Sequence, residues 1–161
     1  MTQKTMGQKK LVESTLLHIA KLVNSISQPY CVFGSASVCL RNLPCGTVSD
    51  VDLLTTEQGV SELATTIGAA AKQRESSALF RSSLFLTVQT PFLPVEVMAD
   101  LKVRAGGKWL AVWPDETDTI TVGGSSFVVA SLKDQLAFFE RFSRPKDIAR
   151  IAQIKQTLSA R

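Results

Sequence analysis

Two aspartates set into an apolar strand constrain this chain more than any other feature. Residues 49–54 read Ser-Asp-Val-Asp-Leu-Leu. Side chains alternate across a strand, so Asp50 and Asp52 share one face, roughly 6–7 Å apart along the backbone. Val51 and Leu53 share the other face. Neighbouring carboxylates repel, and burying them unpaired is costly. A pair kept in this arrangement points to a shared hard cation, usually magnesium, which prefers carboxylate and phosphate oxygens.

A strand, a turn and a helix lead up to this pair. Tyr30–Phe33 is a short apolar run of strand formers that stops at Gly34-Ser35. Helical character runs from Ala36 to about Leu43, and Pro44, Cys45 and Gly46 break it before the second strand begins near Ser49. Ser35 or Ser37 suits the helix N-cap. Gly34 lets the backbone come close to a ligand, and the helix start offers N–H donors to a phosphate.

The order of strand, Gly34-Ser35, helix and Asp50-x-Asp52 on the next strand resembles the nucleotidyltransferase superfamily with the DNA polymerase beta-like fold. The wording of residues 49–54 is similar to the small stand-alone bacterial members, antibiotic-modifying and toxin-like enzymes among them. Arg144-Pro145-Lys146-Asp147-Ile148 is a second point of resemblance, to an Arg-x-Lys-Asp run in many of these proteins. Together the likeness spans residues 11–158, on few specific residues.

The resemblance implies an α/β (α+β) domain, a mixed twisted β-sheet with helices packed on it and further helices at the C-terminus. It implies that Gly34 and Ser35 receive the β/γ-phosphates of an NTP, and that Asp50 and Asp52 hold one or two Mg²⁺ (or Mn²⁺) ions. A third carboxylate on a later strand completes such a site. Glu96, alone between Val95 and Val97, is the candidate for that metal ligand and for the base that takes the acceptor's proton; Asp100 is the fallback. Lys146 is expected to reach the nucleotide's phosphates or the acceptor. Asp147 is expected to orient a lysine, to act as a base, or to satisfy the N-terminus of the last helix. Two departures concern substrate geometry. Val48 stands where a threonine is common, and the step from Ser35 to Asp50 is long.

Length and composition fit this picture. The 161 residues suggest one domain, 11–161, with 131–161 as its C-terminal helices and 1–10 as a disordered basic N-terminus. An apolar fraction of 45% and a charged fraction of 20% are ordinary for a globular protein. No apolar run approaches the roughly 18–20 residues of a membrane span, and MTQKTMGQKK lacks the apolar core of a signal peptide. Three cysteines and a single histidine argue against a zinc site. They are expected to be reduced thiols in a cytoplasmic protein, Cys31 and Cys39 in the core and Cys45 beside the site. The net charge of +4 fits a nucleotide or nucleic-acid partner.

Along the rest of the chain, Val12, Leu16, Ile19, Val23 and Ile26 form one helical stripe, with His18 off it. Thr55-Thr56 starts a helix to about Lys72, with Val60, Leu63 and Ile67 inward. Residues 76–81 and 84–90 read as two strands joined by a short Ser-Ser turn, and 95–100 as another. Gly106-Gly107 is a turn signal in a poorly patterned stretch, whose Trp109 and Trp113 are expected in the core or stacked on a base or acceptor. Gly123-Gly124 joins a hairpin of 119–122 and 126–129. Ser131 caps a helix to Phe142, and Pro145 opens a last one to about Leu158.

These readings lead to a metal-dependent enzyme that moves an NMP from an NTP, such as ATP, to a hydroxyl acceptor: a small molecule, a protein or a tRNA end. Its expected partners are the NTP, that acceptor and a second copy in a homodimer, with no membrane. Two other readings stay open. One is a catalytically weak nucleotide- or protein-binding module of the same fold. The other is a nucleic-acid-binding domain resting on the basic residues near the C-terminus.

Overall fold

The computed structural model describes residues 3–73 and 76–161. The chain begins with α1 (Gln3–Asn24), β1 (Tyr30–Phe33), a short α2 (Ser35–Leu40), β2 (Val51–Thr55) and α3 (Glu57–Ile67). Strands β3 (Phe80–Arg81), β4 (Leu84–Val88), β5 (Val95–Ala99), β6 (Lys102–Ala105), β7 (Lys108–Ala111), β8 (Thr117–Val122) and β9 (Ser125–Ala130) follow. Helices α4 (Leu132–Phe142) and α5 (Ile148–Ser159) close the chain, with a 3-10 turn at Pro145–Asp147 between them.

The sheet is mixed, as expected. Six strands lie in the order β4-β5-β2-β1-β9-β8. β1 pairs antiparallel with β2 and parallel with β9, and β2 pairs parallel with β5. A smaller sheet has the order β3-β6-β7. The two runs read as a Ser-Ser hairpin therefore part company: β3 pairs with β6, while β4 pairs with β5. Gly106 and Gly107, both at positive φ, turn the β6–β7 hairpin. Its strands went unread because only Val103 on them is buried, so alternation is weak.

Buried stripes explain the helices. Val12, Leu16, Ile19 and Val23 on α1 are each at most 3% exposed, and burying side chains of this size contributes about 1.5–3 kcal/mol apiece. α1 begins at Gln3, so residues expected to be a disordered N-terminus are helical; residues 1 and 2 lie outside the described part. α3 stops at Ile67 because Gly68 takes the left-handed conformation and caps it. Ile67, expected inward, is exposed as a result. Ser131 accepts a hydrogen bond from the Asp134 amide and starts α4 as expected.

The cysteines depart from expectation. Cys39 at the end of α2 and Cys45 in the following loop are disulfide-bonded, with Cα atoms 5.2 Å apart. Cys31 is a buried free thiol. Burial, with the nearby Asp134 charge, pushes its pKa up to about 12.

Candidate active site

Strand register builds the acidic side of the site. Phe33, Asp52, Glu96 and Thr87 are successive partners across β1, β2, β5 and β4, so their side chains share one face of the sheet. Asp50 directly precedes β2 and joins them from the same strand line. One oxygen from each of Asp50, Asp52 and Glu96 lies within 4.8 Å of the other two. All three residues are half-buried. Three clustered carboxylates are hard oxygen donors of the kind a divalent cation such as magnesium needs. Asp100, the fallback, sits past the far end of β5 at φ 49° and pairs with Lys102 at 3.4 Å.

The Gly34-Ser35 turn abuts this cluster. Gly34 is the α2 N-cap, at φ 76° and ψ −155°. A Cβ at Gly34 would stand 3.1 Å from Asp52 Oδ2, so only glycine fits without displacing the carboxylate. The capping differs from expectation, because neither serine caps the helix through its side chain. Instead the Gly34 N–H donates to Gln135 Oε1 (2.7 Å), and the Ser37 hydroxyl shares its one proton between the Gly34 carbonyl (2.8 Å) and Gln135 Oε1 (3.0 Å). Gln135 is fully buried on α4, and its Nε2 has no partner among the described residues. The turn is thus held by a helix about a hundred residues away, and Ser35 lines the cavity beside it.

Opposite the acids stands a basic side from the C-terminal turn. Asp147 is fully buried and carries two arginines. Arg144 donates through Nε (2.7 Å) and Nη2 (3.2 Å), and Arg150 through Nη1 (2.9 Å). Arg150 Nε also donates to the Cys45 carbonyl at 2.9 Å, which anchors the disulfide loop. The Arg144 guanidinium lies over the rings of Phe142 (5.0 Å) and Phe80 (5.6 Å). Asp147 therefore neither orients Lys146 nor caps α5 through its side chain; its oxygens are committed to arginines.

Both sides face one cavity of about 290 Å³, lined by Gly34, Ser35, Asp50, Asp52, Glu96, Arg144, Lys146 and Arg150 among others. Phe33, Phe80, Met98, Leu101 and Phe142 form its apolar part. A second cavity, of about 370 Å³, lies at the opposite end of β2 and β5 beside Leu54, Asp100 and Trp113, and none of the three clustered carboxylates lines it. Lys102, Arg104 and Lys108 do not line the acidic cavity. The guanidinium groups of Arg81 (4.5 Å) and Arg104 (5.9 Å) lie over the Trp109 ring, and Trp113 is 43% exposed rather than core. Sequence reasoning missed Gln135, Arg150 and the ring pair. The spacing of Arg144, Asp147 and Arg150, each three apart, was the available signal, because such residues meet on one helical face.

No family model and no curated protein sequence matches this chain. Solved structures do. The TM1012 protein of Thermotoga maritima, assigned as a nucleotidyltransferase, matches with TM-score 0.67 at 22% identity, over 92% of each chain. The lincosamide antibiotic adenylyltransferase LnuA, lincomycin-bound, gives 0.58 at 15% identity over 89% of this chain and 96% of its own. ANT(2'')-Ia in complex with adenylyl-2''-tobramycin gives 0.56 at 12% identity over 91% and 89%. With a six-stranded mixed sheet, a Gly-Ser turn after its first strand and carboxylates on the neighbouring β2 line and on β5 beyond it, this protein has the nucleotidyltransferase fold.

Proposed function

We propose that this chain is a divalent-metal-dependent nucleotidyltransferase that moves an NMP from an NTP, ATP foremost, to a hydroxyl acceptor. One observation carries the reading: Asp50, Asp52 and Glu96 meet within 4.8 Å on the cavity that also holds the Gly34-Ser35 turn and the basic side. The donor set suits magnesium or manganese and not a soft metal. When bound, such ions neutralise phosphate charge and stabilise the attacking and leaving oxygens of an in-line displacement.

The chain's own residues supply the remainder. Asp50, Asp52 and Glu96 hold the metal. Ser35 donates to the β/γ-phosphates from the turn, with Gly34 keeping the backbone close, and Lys146 adds charge at the exposed rim. The acceptor oxygen forms its bond to the α-phosphorus, the bond to the bridging oxygen breaks, and pyrophosphate departs. Glu96 takes the acceptor proton on its carboxylate. Adenylyl-tobramycin in one structural neighbour and lincomycin in another favour a small-molecule acceptor over a protein or a tRNA end. An NTP substrate supports a cytoplasmic enzyme, while the Cys39–Cys45 disulfide argues the other way, since a reducing thiol pool opposes such bonds.

A second reading, a nucleotide-binding module without transfer, is favoured by the Gly34 amide being engaged by Gln135. The deciding experiment incubates the protein with each α-labelled NTP, Mg²⁺ or Mn²⁺ and a cell extract, beside an Asp50→Asn/Asp52→Asn double variant. Label transferred only by the wild type establishes the transferase and names the acceptor class. No transfer with any NTP moves the assignment to the binding module.

A further inference from the structure

The fully buried Asp147 is placed unusually for a C-terminal helix start. Burying a carboxylate is costly unless it is paired and hydrogen-bonded. Here both its oxygens are taken, Oδ2 by Arg144 and Oδ1 by Arg144 and Arg150, and the cluster keeps one positive charge in excess. The two arginines are not equivalent. Arg150 is locked between Asp147 and the Cys45 carbonyl, with its side chain 10% exposed. Arg144 is 26% exposed, held by Asp147 through Nε and Nη2 alone, and laid on the Phe80 and Phe142 rings. Its Nη1 lies outside the Asp147 contact. A guanidinium fixed on one edge by a buried carboxylate and on its face by aromatic rings has already lost its rotamer freedom, and its free edge suits paired phosphate oxygens.

We propose that Arg144 is the cation that meets the pyrophosphate portion of the nucleotide, and that Asp147 is its positioning residue. This rests on the nucleotidyltransferase reading above and deepens it. The acidic cluster can hold phosphate only through a cation, so the charge gathered on the departing pyrophosphate needs a donor from the other side of the cavity. As the bridging oxygen leaves the α-phosphorus with the bonding electron pair, Arg144 is the preorganised donor there. Lys146, expected from the sequence to do this, is exposed at the rim and has no such support. Asp147 acts through Arg144 and touches no substrate.

The test is a calorimetric titration of inorganic pyrophosphate with magnesium, and of the NMPs, into wild type, Arg144→Ala, Arg144→Lys, Asp147→Asn and Asp52→Asn. Arg144→Ala and Asp147→Asn are each expected to weaken pyrophosphate binding about ten- to a hundred-fold, the worth of a charge-assisted contact. NMP binding should stay within about two-fold, because a merely structural loss would lower both ligands alike. Arg144→Lys should fall between, since it keeps the charge without the fork. If melting shows that Asp147→Asn does not fold, the two Arg144 variants decide. Unchanged pyrophosphate affinity in Arg144→Ala, with Asp52→Asn still abolishing binding, overturns the proposal and leaves the nucleotidyltransferase reading standing. Equal losses for pyrophosphate and NMP also overturn it. A wild type that binds neither ligand overturns both.

Discussion

Asp52 and Glu96 are direct partners across the parallel β2–β5 ladder, so the third acid of the cluster is placed by register and not by a loop. Rigid strands hold the cluster whether or not an ion is present. Millimolar magnesium is expected to raise the Tm of the wild type by roughly 3–8 °C, as a ligand well above its Kd adds a few kcal/mol. Asp52→Asn or Glu96→Gln should remove nearly all of that response. A wild-type Tm indifferent to both magnesium and manganese would count against the metal reading.

Gly34→Ala meets two penalties. The residue sits at φ 76°, and its new Cβ would stand 3.1 Å from Asp52 Oδ2. Such backbone strain costs on the order of 1–3 kcal/mol, or several degrees in Tm. The displaced carboxylate should also blunt the magnesium response. A variant with both properties unchanged would mean that the turn and the carboxylate do not abut.

Asp134 links the start of α4 to the loop before β8. Burial pushes its carboxyl upward, but the Ser131 hydroxyl, the amides of Asp115 and Glu116 and the Lys133 charge outweigh this and hold it below the usual range. A depressed folded pKa contributes stability above the unfolded value, near 3.9, and loses it as pH falls through the folded value. Asp134→Asn should therefore be less stable than wild type at pH 6, with the gap closing below about pH 4. Urea melts at the two pH values decide this, and a gap that persists in acid would contradict the assignment.

The thiols can be counted chemically. Cys31 is buried, and its pKa is pushed up to about 12 by burial, so it stays a thiol at neutral pH. Cys39 and Cys45 are bonded to each other. The native protein should react with no thiol reagent, and the denatured, unreduced protein should show Cys31 alone. Three reactive thiols after denaturation would mean a reduced pair. Where the bond is present, Cys39→Ser should cost about 2 kcal/mol, the loop-closure value for so short a loop.

That Asp50, Asp52 and Glu96 come together was legible because the signals are local. Period-two alternation puts Asp50 and Asp52 on one face, and Val95-Glu96-Val97 leaves a lone acid on the next apolar strand. The Ser131 cap and the Gly123-Gly124 hairpin were local too, and both stand in the structure. The basic half was named only in part, through Lys146. Asp147 looked like a helix cap or a base, because sequence cannot show that Arg150 returns one turn later to share it. Gln135 carries no local signal, because its role comes from Gly34, 101 residues away in sequence. The Ser-Ser hairpin failed for the converse reason. Two strands adjacent in sequence found different partners, and tertiary pairing overrode proximity.

The bond between Gly34 and Gln135 also sets an order of events in time. It spans 101 residues, and the β1–β9 pairing of Val32 with Val129 beside it is nearly as distant in sequence. Contacts this remote form late, because loop closure costs entropy before pairing returns any stability. A refolding chain can align Asp52 with Glu96 while the turn beside them is still unshaped. The turn beside the acidic cluster is then expected to take shape last, when α4 docks and β9 joins β1.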